Sequence, residues 1–194
     1  LGVIQSSNLC IEINEYSDEN EQAVCNLASV ALNKFVFERR GKMVFDFRLF
    51  RNVVQQVIRN LDNVIDANYY PTKETETSNM RHRPIGLGVQ GLADVFAMMK
   101  MPFDSEEARA LNKQIFEHMY YYALEESNRL ALTRGQYSTF KGSPLSQGEF
   151  QFDLYDEETE LCGELDWEDL KKKVVYGGVR NSLMIALMPT ASTS

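Results

Sequence analysis

Apolar positions mark out the elements of this chain. Phe50, Val53, Val54, Val57, Ile58, Leu61, Val64 and Ile65 recur at three- and four-residue spacing between residues 46 and 66. That is the repeat of one buried helix face. The Tyr69-Tyr70-Pro71 turn ends it, because proline has no amide hydrogen to extend a helix. A second helix carries Ala108, Leu111, Ile115, Met119 and Tyr122 on one face. Asp104, with Glu107 three residues on, predicts its capping box, and Gly135 its C-terminal cap. Shorter helices are expected from Gly91 to Met99 and from Asp166 to Tyr176, the latter closed by Gly177 and Gly178.

Strand-like pieces lie between them. Val3-Ile4, then Ile11 and Ile13, suggest short strands, Arg83 to Val89 a buried turn or strand, and Ser182 to Met188 a buried strand. From Ala23 to Val36 the chain is apolar and rich in small residues, and periodicity does not separate helix from strand there. Asn14 to Glu21 and Thr72 to Met80 read as polar loops, and 136–165 as a longer one punctuated by Gly142, Pro144 and Gly148. Alternating helical and strand-like pieces predict an α/β class.

Composition narrows the function classes. The 194 residues suit one domain. Lys and Arg number 20 against 28 Asp and Glu, a net charge of −8. Non-specific nucleic-acid binding needs clustered cations, so that class is excluded. No apolar run approaches the roughly 18 residues that span a bilayer, and the N-terminus has no signal-peptide pattern. Three cysteines make an odd, sparse set that points to a reducing, cytoplasmic setting. The chain starts Leu1-Gly2-Val3 without Met and stops at Ser194 among small polar residues, so both ends read as cut.

Candidate chemistry starts at Asn8, Cys10 and Glu12, spaced by two. On an extended backbone an amide, a thiol and a carboxylate would then share one side; the competing reading is a strand with Cys10 as a small buried residue. Cys25 sits in an apolar segment and on its own reads as core. Cys162 stands among Glu160, Glu164 and Asp166, surroundings that disfavour a thiolate, and reads as incidental. Pro189 to Ser194 follows the last strand with small hydroxyl residues that suit an anion if a helix begins there. His82 and His118 are far apart, without cysteines at metal-site spacing, so no metal is expected. His82 lies between Arg81 and Arg83, an expected solvated or ion-paired patch. Gly86, Gly88 and Gly91 match the dinucleotide fingerprint in spacing, but Arg83 and Pro84 break the strand before them. Close backbone packing explains those glycines more simply.

In combination these segments are specific. Ser7-Asn8-Leu9-Cys10-Ile11-Glu12, Ala23-Val24-Cys25-Asn26-Leu27-Ala28-Ser29, Arg81 through Asp94, Leu111 through Glu117, and Trp167 through Pro189 with Gly178-Val179-Arg180-Asn181 together resemble the large, catalytic subunit of class I ribonucleotide reductase. The resemblance runs the length of the chain, in order. It implies part of a ten-stranded α/β barrel over residues 1–194, with a radical cysteine on a central finger loop. It implies Cys10 as the thiyl radical site, Glu12 as the base for the 3′-hydroxyl, and Asn8 as a substrate-binding amide. Cys25 would be one half of a redox-active pair. Pro189, Thr190, Ala191, Ser192 and Thr193 would hold the substrate's phosphates. The substrate would be a ribonucleotide, a diphosphate in this type.

No cofactor is implied in this chain. The family's small subunit carries a dimetal, typically di-iron, radical centre, and effector nucleotides bind outside the matching region. Implied partners are the rest of the large subunit, the small subunit, and thioredoxin or glutaredoxin as reductant. The partner of Cys25, the radical-relay tyrosines and the C-terminal cysteines of the family find no match here, so the chain reads as a central fragment, inactive alone. A split gene, intein junctions and a truncated sequence each account for such ends. The rival reading is an inactive remnant that binds subunits or nucleotides.

Overall fold

In a computed structural model, residues 3–4, 7–8, 10–156 and 158–191 are described. The 46–66 periodicity forms α1 (Phe47–Ala67), opened by the Asp46 side chain, which accepts from the Leu49 amide. Ahead of it run β1 (Asn26–Ala31), a 3-10 turn (Leu32–Phe35) and a hairpin of β2 (Val36–Arg39) and β3 (Lys42–Phe45). Arg40 and Gly41, with φ of 53° and 78°, make the two-residue turn whose positive φ values match strand twist. The hairpin supplies Phe45 to an aromatic cluster with Phe35 and Phe50, ring centroids 5.0–5.7 Å apart.

After α1 come α2 (Lys73–His82), β4 (Ile85–Gln90), α3 (Leu92–Met98), α4 (Glu106–Arg134) and α5 (Trp167–Gly177). The expected loop at 72–80 is therefore a helix. It has no apolar stripe for periodicity to reveal. It starts instead on a capping box between Thr72 and Thr75 and buries Thr75, Ser78 and Asn79. The cap of α4 is Ser105, which accepts from the Ala108 amide, one residue beyond the expected Asp104. Gly135 ends α4 as expected, at φ 86°. The buried face of α4 includes Ala108, Leu111, Ile115, Met119 and Tyr122, and α1 packs against this helix.

β1 and β4 pair in parallel, Leu27 opposite Gly86 and Ser29 opposite Gly88. The 182–188 segment lies along the other edge of β4, through the Leu87–Ile185 bridge and hydrogen bonds from Ile85 N to Leu183 O and from Ala186 N to Leu87 O. It is less regular than the expected strand. Alternation divides the sheet's faces. Ile85 and Leu87 are buried with Val30 in the core under α1. The opposite face carries Leu27, Ser29, Gly86, Gly88, Ala186 and Met188. A Cβ on Gly86 would stand 2.5 Å from Leu27 Cδ2, and one on Gly88 2.7 Å from the Ala186 carbonyl oxygen. The glycines thus serve close strand approach rather than a dinucleotide. Gly88→Ala presses on backbone, which cannot swing aside, and should cost about 1–3 kcal/mol. A lowered denaturant midpoint checks this; an unchanged one would show that the 182–188 segment yields freely.

A buried ion network ties the back of this sheet to the helices. Arg83 adopts the left-handed conformation at the end of α2 (φ 48°). Its guanidinium donates to Asp62 of α1 at 2.8 and 3.0 Å and to Asp66 at 2.8 and 2.9 Å. The expected patch at Arg81–Arg83 is ion-paired, but Arg83 is buried, not solvated. Arg81 and His82 both hold Glu21, at 3.1 and 2.9 Å, and His82 also meets Thr139 Oγ1 at 2.8 Å. Glu21 is itself buried, so one end of the expected exposed 14–21 loop is anchored.

Candidate active site

The segment carrying Asn8, Cys10 and Glu12 is a closed loop, not a strand. The Asn8 amide donates to Ile13 O at 3.2 Å, and the Ile13 amide donates to Asn8 Oδ1 at 3.1 Å. The Ile11 amide donates back to Asn8 O at 3.3 Å, and Ile11 takes φ 66°. Ser7 and Asn14 form an antiparallel bridge at the neck. The two-residue spacing therefore does not set the three side chains on one side of an extended backbone, and Cys10 is exposed rather than buried. Asn8 closes the loop. Val3 and Ile4 are exposed and form no strand.

Ile13 fixes where this loop sits. It is buried, and its Cδ1 would lie 3.3 Å from a Cβ on Gly86. The loop therefore rests on the glycine-bearing face, where the strands carry no side chain to hold it off. That contact brings Glu12 and Glu15 toward Cys25, which immediately precedes β1. The Cys25 thiol donates to its neighbour's carbonyl, Asn26 O, at 3.7 Å. Burial pushes the thiol well up, and the charges of Glu15 and Glu12 push the same way. Burial also raises Glu15 from 4.5 to about 7. This carboxyl holds its proton more tightly folded than unfolded, so the stability it confers is full below pH 4.5 and is lost as pH rises through about 7. Cys25 is thus half-buried, with carboxylates near it, rather than enclosed in the apolar core.

Met188 joins the other end of the same face, where Ser29 Oγ meets its sulfur at 3.0 Å. Beyond it, Pro189 and Ala191 are exposed and Thr190 is half-buried. Ser192 and Thr193 lie outside the described residues, so the expected anion loop is described only to Ala191. The cysteine corner lies at the N-terminal end of β1, whereas Met188 meets the strands further along, at Ser29 and Gly88.

The comparisons with known proteins bear directly on this arrangement. The family model for the ribonucleotide reductase barrel domain matches residues 1–194. The chain belongs to the ribonucleotide reductase barrel family. It is 55% identical over 195 residues to the ribonucleoside-diphosphate reductase large subunit of Caenorhabditis elegans, and 54% over 196 to ribonucleoside-diphosphate reductase large chain 2 of Saccharomyces cerevisiae. Identity to the large subunit of monkeypox virus is 55% over 195 residues. All of this chain is covered in each case, but only 24%, 22% and 24% of the relatives. The chain spans about a quarter of the length of the curated relatives it matches.

Other features of this reductase barrel segment stand apart from the corner. Cys162 is half-exposed. Burial raises its thiol, with the Glu117 and Glu164 charges acting the same way. Its amide donates to Glu117 Oε2 at 2.8 Å, and the Trp167 indole donates to Glu117 Oε1 at 2.9 Å, a structural use of that stretch. A cavity of about 1020 Å³ opens between α4 and the 143–161 segment, against Phe116, Tyr120, Phe152 and Trp167. None of Asn8, Cys10, Glu12 and Cys25 lines it. Among the described residues no group of three or more His, Cys, Asp and Glu is arranged for a metal ion, and no helix is long and apolar enough to cross a membrane. Glu15 escaped the sequence reading because it lies in an acidic stretch; the one available signal was its place two residues after Ile13.

Proposed function

We propose that this chain carries the radical and reducing residues of a ribonucleotide reductase large subunit, an enzyme that converts ribonucleoside diphosphates to deoxyribonucleotides. The observation that carries the reading is the convergence of Glu12, Cys25 and the Cys10 loop on one glycine-lined face. Cys10 is exposed at the loop's turn, where a ribose can reach it. An S–H bond is comparable in strength to the 3′ C–H bond, so a thiyl radical at Cys10 exchanges hydrogen with the ribose at little cost. Glu12 takes the 3′-hydroxyl proton as general base. The Asn8 amide holds the hydroxyls. Cys25 and a cysteine elsewhere in the large subunit supply two electrons and close to a disulfide.

Following Met188 in the chain, Pro189, Thr190, Ala191, Ser192 and Thr193 hold the phosphates through amides and hydroxyls, so net charge need not favour the anion. Residues 1–194 then form part of a ten-stranded barrel, with the 7–14 loop as its finger and the rest of the subunit supplying the other strands. A small subunit with a dimetal centre supplies the radical. Effector nucleotides bind elsewhere in the subunit, and thioredoxin or glutaredoxin restores the dithiol in a reducing cytoplasm.

A chimera tests this. The segment replaces its counterpart in the C. elegans large subunit, where it aligns over its full length, and the product is assayed with its small subunit. Deoxyribonucleotide formation within about tenfold of the parent is expected, since the reacting groups are carried by the insert. A folded chimera that binds nucleotide and small subunit but makes no product would favour an inactive binding remnant.

A further inference from the structure

Ser29 and Met188 reach each other over an intervening strand. Ser29 is on β1, Met188 ends the 182–188 segment, and β4 runs between the two. Strands two apart lie about 10 Å from each other, so a side chain on the strand between them would ordinarily keep such residues apart. The position between these two is Gly88, directly opposite Ser29 in the β1–β4 register. The Met188 thioether lies over its bare backbone, where a Cβ would stand 2.8 Å from the sulfur. Ser29 Oγ donates to that sulfur at 3.0 Å. A thioether is a weak acceptor on a flexible chain, so what the bond supplies is a fixed seat. The backbone of the segment is tied to β4 through Ala186, whose amide donates to Leu87 O at 3.1 Å. Two residues on, Met188 is held through its side chain, and Pro189 follows. Proline fixes its own φ and restricts the residue before it to extended conformations. Met188 and Pro189 therefore form a stiff pair, and the seat of the sulfur decides how the chain enters Thr190.

We propose that Ser29 is a positioning residue for the Pro189–Thr193 segment: its bond to Met188, made over Gly88, sets that segment's place relative to the Cys10 loop on the same face. The proposal rests on the reading of 189–193 as the holder of the substrate's phosphates. Amides grip a phosphate only at hydrogen-bonding distance, so a shift of about 1 Å in the segment weakens the grip. The phosphates take no part in the ribose chemistry. Their grip is the same in the ground state and the transition state, so its loss weakens binding and raises KM while kcat is spared.

The test measures binding of tritiated cytidine diphosphate to the full-length chimera by equilibrium dialysis, beside steady-state kinetics. Ser29→Ala should raise Kd at least about threefold, the worth of one modest hydrogen bond. Met188→Leu keeps the volume and removes the acceptor, and should do the same. The double variant should bind no more weakly than either single one, because both changes remove one bond. In turnover the loss should fall on KM, with kcat within about twofold of the parent. An unchanged Kd in Ser29→Ala would overturn the proposal, as would a fall in kcat as large as the rise in KM, or single effects that multiply in the double variant. Ser192→Ala combined with Thr193→Val tests the phosphate reading separately. A raised Kd there beside an unchanged one in Ser29→Ala overturns this proposal alone. An unchanged Kd there overturns the phosphate reading, and this proposal with it.

Discussion

Cys10→Ser in the chimeric enzyme is expected to lower nucleotide reduction by about 10³-fold or more, the scale seen when a residue of the chemical step is removed. The side chain is exposed at a turn, and serine is nearly isosteric, so folding and nucleotide binding should be unchanged. What changes is the bond: an O–H bond is much stronger than S–H, and the hydroxyl cannot carry the radical. Cys25→Ser should block product formation as strongly but at a later step. With Cys10 intact, the 3′-hydrogen can still move to sulfur and exchange with solvent. Release of label from 3′-tritiated substrate should therefore persist in Cys25→Ser and vanish in Cys10→Ser. Normal turnover by either variant would remove that residue from the mechanism.

The largest expected loss of stability is at Asp62. Its carboxylate is fully buried in α1. It receives Arg83 at 2.8 and 3.0 Å, Arg134 at 2.8 Å and the Asn181 amide at 3.3 Å, with Arg180 Nε at 3.4 Å. Those partners come from the end of α2, the end of α4 and the lead into the 182–188 segment, so one carboxylate fastens three connections. Asp62→Ala leaves buried Arg83 with Asp66 alone among the described carboxylates. Breaking one side of a buried pair costs about 3–5 kcal/mol, a fall in melting midpoint of roughly 10 °C for a domain of this size. The exposed Arg109–Glu106 pair is the control, since Arg109→Ala should leave the midpoint within a degree or so. Equal shifts for both variants would show that the buried network does not hold these elements together.

The legible parts of the fold were those governed by burial. α1 and α4 each press one apolar stripe into a common core, and their spacing declared them. α2 did not, because its buried side is Thr75, Ser78 and Asn79 and its start depends on a hydroxyl pair. The loop at 7–14 departs from the expected strand for a related reason. Alternation along Asn8, Cys10 and Glu12 fits a strand, but the Asn8 side chain competes for the Ile13 amide and turns the chain at Ile11. The residues of the corner were recognisable by resemblance, yet their convergence was not, because it depends on Ile13 finding bare backbone at Gly86. Glu15 and Glu21 were hidden alike: a carboxylate in a polar stretch looks solvated until the thiol or cations that face it are in place.

The parallel arrangement also sets a timetable. Ser29 and Met188 touch across the site's face but are 159 residues apart in the chain. A ribosome adding about 5–20 residues per second leaves β1 waiting roughly 8–30 s before its far neighbour emerges. Throughout that interval Cys25 is a thiol in an unfinished site, exposed to any passing oxidant. The charge of Glu15 lies only ten positions earlier, so its influence on the thiol can begin as soon as the first strand and its preceding loop are made.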